Sequence, residues 1–126
     1  MEPPKSNDTR PILPIFEYGF NSIAEELCRW AKNHGFWDRG LPPDVETKVM
    51  KLALIHTEVS EAIEALRNGD PTDPAVPEIS NFAAELADIV IRTMDLAYAC
   101  DINLGQAILI KQEYNKSRPH RNGKEF

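Results

Sequence analysis

The chain has 126 residues, a formal net charge of −6 and a sequence pI near 5.0, which predicts one domain with a single modest core. This acidic balance argues against a nucleic-acid-binding protein and against binding to an anionic membrane surface. No apolar run is long enough to predict a membrane span, and the proline-rich N-terminus lacks the apolar centre of a signal peptide. Because Cys28 and Cys100 are the only cysteines, we expect reduced thiols in a cytoplasmic protein rather than a disulfide framework.

The N-terminal segment, residues 1–17, is polar and rich in proline, which predicts a disordered or loosely draped arm. A helical domain is predicted to follow and to cover residues 18–126. Its first helix is expected to begin near Ser22, because Ser22 and Glu25 have the spacing of a capping box. We expect this helix to end at about Asn33.

Three further helices are predicted after the first. Asp44 and Asn103 are residue types that cap helix N-termini, and Pro119 cannot continue a helix. No segment alternates in the way that indicates a strand, so the fold class predicted is all-α, a four-helix bundle-like domain. The three helices are expected at Val45 to Arg67, from near Glu78 to about Cys100, and from the Asn103 cap to Ser117.

Two pairs of acidic residues lie within the second and third helices: Glu58 with Glu61, and Glu85 with Asp88. A spacing of three residues puts both members of a pair on one helical face. Two such pairs on facing helices would form an all-oxygen, negatively charged pocket suited to Mg²⁺ or Mn²⁺. The pattern therefore predicts a divalent metal site and, with it, phosphate chemistry.

The residues around these acids indicate that the acids are shielded from solvent. On the second helix they fall on a seam with Leu54 and Ala65, beside a broad apolar stripe that is expected to face the core. That stripe contains Leu52, Ile55, Val59, Ala62, Ile63 and Leu66. The third helix is apolar on both sides of a narrow polar ribbon, which we expect to face an internal cleft or a partner subunit. The ribbon contains Asn81, Glu85, Asp88, Arg92 and Asp95. The other interpretation is a solvated stripe with an Asp88–Arg92 ion pair.

With E-x-x-E at residues 58–61 and E-x-x-D at residues 85–88, the chain resembles the all-α nucleoside triphosphate pyrophosphohydrolases, and among them the MazG-like proteins. The C-terminal sequence KQEYNKSRPHRNGK is similar to the ending of small stand-alone MazG-like enzymes, although Asn122 stands where relatives often carry a basic residue or histidine. The resemblance implies a metal-dependent hydrolase that cleaves a (d)NTP to a (d)NMP and pyrophosphate. It also implies a homodimer or homotetramer. The metal ligands that it implies are Glu58, Glu61, Glu85 and Asp88.

The predicted catalytic residues are Glu58, Glu61 and Lys111. Our hypothesis is an in-line attack of a metal-bound water on the α-phosphorus, with Glu58 accepting the proton. Lys111, Asn115 and Arg118 recur on one face of the fourth helix. We predict that Lys111 and Arg118 bind the β- and γ-phosphates and that Asn115 binds phosphate or sugar.

Further substrate-binding residues are predicted in the tail and near the first helix. Arg121 and Lys124 are expected to fold over the triphosphate as a flexible clamp. Trp37 is the leading candidate for stacking on the nucleobase, and Trp30 and Phe20 are the others. Trp30 lies in the apolar stripe of the first helix, so core packing is favoured over stacking for this residue.

Two other interpretations stay open. The chain could be a non-catalytic helical oligomerisation or interaction module, or a related pyrophosphohydrolase whose substrate is phosphoribosyl-ATP or dUTP. A di-iron carboxylate bundle is disfavoured, because neither acidic pair is part of a Glu-x-x-His motif.

Overall fold

The structure, a computed structural model, describes residues 12–126. In this range the chain is all-α, with four α-helices, a short 3₁₀-helix and no strand, as the sequence predicts. None of the described helices combines the length and the apolar character needed to cross a bilayer. The elements are α1 (Ile12–Asn33), α2 (Val45–Arg67), α3 (Asn81–Ala99), α4 (Leu104–Lys116) and the 3₁₀-helix His120–Gly123.

The N-terminal ends of α2, α3 and α4 are each capped by a side chain that accepts a hydrogen bond from the backbone N–H three residues further on. The predicted caps Asp44 and Asn103 are confirmed, at 2.8 and 3.0 Å. The third cap is Ser80, whose hydroxyl accepts at 3.1 Å. Ser80 therefore sets the start of α3 slightly later than the predicted position near Glu78.

Helix α1 begins well before the predicted position at Ser22, which lies inside the helix. Pro14 falls in the first turn, where a backbone N–H would have no intrahelical partner, so this proline does not prevent the helix from starting. The Phe16 and Phe20 rings, one helical turn apart, lie 5.5 Å from each other and extend the packing along the helix. The arm predicted for residues 1–17 therefore does not extend past residue 11, and residues 1–11 lie outside the described range.

Helix α3 is the centre of the fold. It packs against α2 on one side and against α1 on the other, and α4 packs on α1 and on one end of α3. Within residues 12–126, α2 contacts neither α1 nor α4. A small core of Cys28, Ala31 and Trp37, with Leu96 and Ala99 against it, joins α1 to α3. The bundle therefore has an open side next to α2.

The structure contradicts the prediction that the apolar stripe of α2 faces the core. Leu52, Val59, Ile63 and Leu66 are all exposed, with Ile63 at 51% and Leu66 at 54% of full exposure. Of this stripe, Ala62 alone is buried, while the second seam, which carries the acids, turns toward α3. The expectation that the stripe forms the core of a single chain is therefore wrong, because α2 has only one neighbouring helix to pack on.

Candidate metal centre and the adjoining pocket

The carboxylates of Glu58, Glu61 and Glu85 converge between α2 and α3. One oxygen from each lies within 4.8 Å of the other two. Glu58 is buried, Glu85 is half-buried and Glu61 is exposed, so the cluster opens to solvent on the Glu61 side. The expectation that the acids are shielded from solvent is therefore wrong for Glu61 and for Asp88, which is also exposed. The spacing of three residues on α2 and the packing of α2 on α3 together account for this convergence.

Arg92 holds the innermost carboxylate of the cluster. Its Nε donates to Glu58 Oε1 at 2.6 Å, across the contact between α3 and α2. Burial alone would raise the pKa of the Glu58 carboxyl, but the hydrogen bonds from Arg92 and Glu61 outweigh burial, and the pKa lies below its usual value. Glu58 is therefore a weak base, which argues against its predicted role as proton acceptor. This ion pair also replaces the Asp88–Arg92 pair of the other interpretation.

The two other carboxylates have the opposite shift. The hydrogen bond to Glu58 and the negative charge of Glu58 raise the pKa of Glu61. Burial and the charge of Glu61 raise the pKa of Glu85 to about 7. The three crowded carboxylates carry more negative charge than the single arginine beside them neutralises. The cluster is therefore short of a cation near neutral pH.

Asp88, the fourth predicted ligand, lies beside the cluster and not within it. Its carboxylate is outside the group of oxygens that approach one another, and it lines the pocket described below. Desolvation in this pocket and the charge of Glu58 raise the pKa of Asp88. The structure thus brings three of the four predicted ligands together and places the fourth next to them.

The donor set fits Mg²⁺ or Mn²⁺. Carboxylate oxygens are the ligands that these hard cations prefer. Two oxygens bound to one Mg²⁺ are at most about 4 Å apart, since each bond is about 2.1 Å long. Oxygens already within 4.8 Å of one another need only small side-chain rotations to share an ion. Glu58, Glu61 and Glu85 are the residues that would hold it.

A pocket of about 250 Å³ adjoins the acidic cluster and lies between α1, α2 and α3. Glu58 and Asp88 line one part of it. Three members of the polar ribbon line it in sequence along α3, so this part of the ribbon faces a cleft between helices, although Asp88 remains exposed. The pocket is lined by Leu27, Trp30, Ala31, Phe36, Lys51, Glu58, Asp88, Ile91, Arg92 and Asp95.

The two tryptophans have exchanged the roles predicted for them. Trp37 is buried at 4% exposure, and its Nε1 donates to Asp95 Oδ1 at 2.9 Å. It is therefore a core residue, and the predicted stacking role does not fit this position. Trp30 is 56% exposed and lines the pocket, where its ring stacks near Phe36 at a centroid distance of 5.9 Å.

Sequence reasoning did not assign a role to Lys51 or Asp95 in the pocket. Lys51 Nζ donates to the Phe36 carbonyl oxygen at 2.6 Å and lies 4.3 Å from the centre of the Trp37 ring. Burial lowers the pKa of this lysine. Lys51 precedes Glu58 by two helical turns, and Asp95 follows Asp88 by two turns. That spacing, which keeps residues on one helical face, is the signal that could have identified both residues.

The basic residues predicted to bind phosphate lie elsewhere on the chain. Lys111, Asn115 and Arg118 belong to α4 or follow it, and no residue of this group lines the pocket. Lys111 and Arg118 flank the ring of Tyr114, at 5.0 and 5.6 Å from its centre, so they do share one surface. Arg121 and Lys124 are exposed in and after the 3₁₀-helix, and Arg121 donates to the Glu125 carbonyl oxygen at 2.6 Å. A single chain does not bring this basic surface to the acidic cluster.

Comparisons with protein-family models, with curated proteins and with solved structures found no match to this chain. The resemblance to MazG-like proteins therefore stays a prediction from the two acidic motifs and the C-terminal sequence.

Proposed function

We propose that this protein is a metal-dependent nucleoside triphosphate pyrophosphohydrolase, which cleaves a (d)NTP to a (d)NMP and pyrophosphate. The observation that carries the proposal is the convergence of Glu58, Glu61 and Glu85 within 4.8 Å beside a pocket with an aromatic wall. The cluster supplies oxygen ligands for a divalent cation, and the pocket offers space and flat side chains for a nucleoside. An anionic substrate with an aromatic group fits this combination.

A divalent cation would make the acidic cluster compatible with a triphosphate. Without it, three carboxylates and Asp88 would repel the phosphates of the substrate. Mg²⁺ bound at this cluster would neutralise phosphate charge, polarise phosphorus and lower the pKa of a bound water. The raised pKa values of Glu61 and Glu85 support this part of the proposal, because they indicate carboxylates that lack a counter-charge.

The residues of the chain have distinct roles in this proposal. Arg92 holds Glu58 in a fixed position through the 2.6 Å hydrogen bond. We assign proton acceptance to Glu61 rather than Glu58, because Glu61 is exposed at the edge of the cluster while Glu58 is already paired. Asp88 lies between the cluster and the pocket, where it would orient the substrate or bind a second cation.

The proposal includes a second copy of the chain. Lys111 and Arg118 share a surface that does not reach the pocket of their own chain, and the pyrophosphate leaving group needs cations beyond the metal. The exposed apolar stripe of α2, which includes Ile63 and Leu66, supports oligomerisation, because a stripe of this kind is usually buried against a partner. In a homodimer or homotetramer, the basic surface of one subunit would close the site of another.

Product analysis tests the proposed function. The full chain is incubated with a panel of NTPs and dNTPs and with saturating Mg²⁺ or Mn²⁺. The products are separated by anion-exchange chromatography. NMP and pyrophosphate are the expected products. Glu61→Gln is expected to lower the rate by at least about 100-fold with an unchanged far-UV circular dichroism spectrum. Glu64→Gln, an exposed change on the same helix, serves as the matched control.

Formation of NDP and phosphate, or no turnover of any nucleotide, would overturn the proposal. In the latter case the interaction-module interpretation gains support from one observation: the Arg92–Glu58 ion pair already neutralises part of the cluster without a metal. A non-catalytic module is expected to show no thermal stabilisation by Mg²⁺. A related pyrophosphohydrolase would instead hydrolyse dUTP or phosphoribosyl-ATP in preference to the common NTPs.

A further inference from the structure

We infer that the end of the pocket remote from the acidic cluster binds the nucleobase, and that Asp95 selects bases that carry an exocyclic amino group over bases that carry a keto group at the same position. This inference rests on the proposed function, in which the triphosphate binds at the acidic cluster. It assigns a specificity role to a residue for which the acidic motifs predict none.

The rise along α3 places Asp95 at a distance from the acidic cluster that suits a nucleobase. Glu85, Asp88, Arg92 and Asp95 follow one another on the polar ribbon. At a rise of about 1.5 Å per residue, Asp95 lies roughly 10 Å beyond Asp88 and roughly 15 Å beyond Glu85. This is comparable to the span of a nucleotide between its phosphates and the far edge of its base. Arg92 lies between the two ends, at the level of the sugar and the first phosphate.

Asp95 is held in place by a buried donor, the indole of Trp37. Trp37 Nε1 donates to Asp95 Oδ1 at 2.9 Å. The buried Cys28 thiol lies close enough for Asp95 to affect it, and burial together with this carboxylate raises the pKa of the thiol to about 12. A carboxylate has about four acceptor positions, and the bond from Trp37 leaves acceptor capacity for a ligand in the pocket. Asp95 is therefore a preorganised acceptor.

The wall beside Asp95 has the flat apolar surface that a base requires. Trp30 and Phe36 line the pocket, and their rings are inclined by only 24° to each other. Both side chains are about half exposed, so a base can reach Phe36 and the part of the Trp30 ring that His34, stacked on it at 4.1 Å, leaves open. Stacking on such rings is insensitive to base identity, which leaves discrimination to the polar groups.

Lys51 supplies the second polar group. Its ammonium carries three donors, and one of them bonds to the Phe36 carbonyl oxygen at 2.6 Å. No carboxylate of the described residues lies within ion-pair distance of it, so donors remain for a base carbonyl or ring nitrogen. Cytosine presents an amino group next to ring and keto acceptors, which matches an acceptor from Asp95 and a donor from Lys51. Uracil places a keto oxygen where the amino group would be, and two acceptors would then face each other.

The test compares dCMP with dUMP, two ligands that differ in this group and need no hydrolysis to bind. Isothermal titration calorimetry with the full chain and Mg²⁺ is expected to show dCMP binding at least about tenfold more tightly, the value of one charge-assisted hydrogen bond. Asp95→Asn keeps an oxygen for Trp37 and adds a donor, so it is expected to reverse the preference. Glu64→Gln is the control that leaves the ratio unchanged, and Trp30→Ala is expected to weaken both ligands equally.

Equal affinity for dCMP and dUMP in the wild-type protein, or a ratio that Asp95→Asn leaves unchanged, overturns the inference. If Asp95→Asn does not fold, Asp95→Glu replaces it and is expected to weaken dCMP more than dUMP; an equal loss for both overturns the inference. Failure of the proposed function would give a different result from failure of this inference. Absence of NTP hydrolysis with an Asp95-dependent dCMP preference would refute the hydrolase, whereas hydrolysis without base preference would refute only the role of Asp95.

Discussion

Replacing Glu85 by glutamine is expected to stabilise the metal-free protein at alkaline pH and to leave its stability unchanged at acid pH. The charged form of Glu85 is repelled by Glu61, and the two carboxylates have oxygens within 4.8 Å. Unit charges at this separation repel by about 1 kcal/mol in water and by about 3 kcal/mol at the effective dielectric constant of a protein surface. Because Glu61 is exposed, the lower part of this range applies. We therefore expect a gain of roughly 1 kcal/mol at pH 8, equivalent to about 3 to 6 °C in Tm.

The pH dependence follows from the direction of the pKa shift. The folded-state pKa of Glu85, about 7, lies above the ordinary value of 4.5, so the folded state binds the proton more tightly than the unfolded state. The resulting stability is fully present below pH 4.5 and is lost as the pH rises through 7. Wild-type Tm is therefore expected to fall between pH 5 and pH 8 without metal, more steeply than that of Glu85→Gln.

Differential scanning fluorimetry at pH 5 and pH 8, with EDTA or with Mg²⁺, measures this difference at one fixed protein concentration. Mg²⁺ is expected to raise the Tm of the wild type at pH 8 and to have little effect on Glu85→Gln. Glu64→Gln controls for the loss of a surface charge on a neighbouring helix. A variant that is stabilised equally at both pH values, or a wild type whose Tm is indifferent to Mg²⁺ at pH 8, would refute the reasoning.

Three further outcomes are expected. Trp37→Ala should lower the free energy of unfolding by about 3 to 5 kcal/mol, as for a large core side chain, whereas Trp30→Ala should change it by less than about 1 kcal/mol. Urea unfolding measures both changes. Equal losses would contradict the assignment of Trp37 to the core and of Trp30 to the pocket. Ile63→Glu should dissociate the oligomer in light-scattering chromatography, because it places a charge on the apolar stripe of α2; a wild-type monomer would contradict the assembly. Lys111→Ala should raise the KM for the triphosphate without altering the Mg²⁺-dependent Tm. A changed response of the Tm to Mg²⁺ would contradict the assignment of Lys111 to the phosphates, because it would show that Lys111 acts on the metal site.

Helix boundaries were predictable where local chemistry decides them. The start of α2 and the caps Asp44 and Asn103 follow from hydrogen bonds between residues that are three apart, and such bonds can be read from a sequence. The end of α2 follows from Gly69 and Pro71, which do not continue a helix. The start of α1 was not predictable in this way. Proline-rich composition indicates an unstructured arm, but a proline in a first helical turn costs nothing, and composition cannot distinguish the two cases.

The core was harder to predict than the helices. Periodicity shows that α2 has an apolar stripe, but it does not say whether the stripe packs within the chain or against another molecule. Ile63 and Leu66 are exposed because α3 covers a different face of α2, the one that carries Glu58. The packing of α2 on a single neighbour is a property of the whole chain path, which no local pattern specifies.

The acidic cluster was predictable because both acidic pairs lie on apolar helices, where a charged side chain is costly to bury unless it is paired or bound to a cation. The ion-pair partner of Glu58 was not predictable. Arg92 lies one helical turn from Asp88, which favours a pair between those two residues, but in the structure Arg92 reaches across the contact between α3 and α2 to Glu58. The exchange between Trp30 and Trp37 has a similar cause. Position in a loop indicates exposure, but the loop folds back and buries Trp37 against Cys28.

A crystal of the protein soaked with Mn²⁺ tests most directly whether the acids of α2 and α3 share a cation. An anomalous difference map is expected to show a peak in contact with carboxylate oxygens of Glu58, Glu61 and Glu85, and Glu61→Gln crystals are expected to lose or weaken it. No peak at saturating Mn²⁺, with the three carboxylates directed away from one another, would contradict the account.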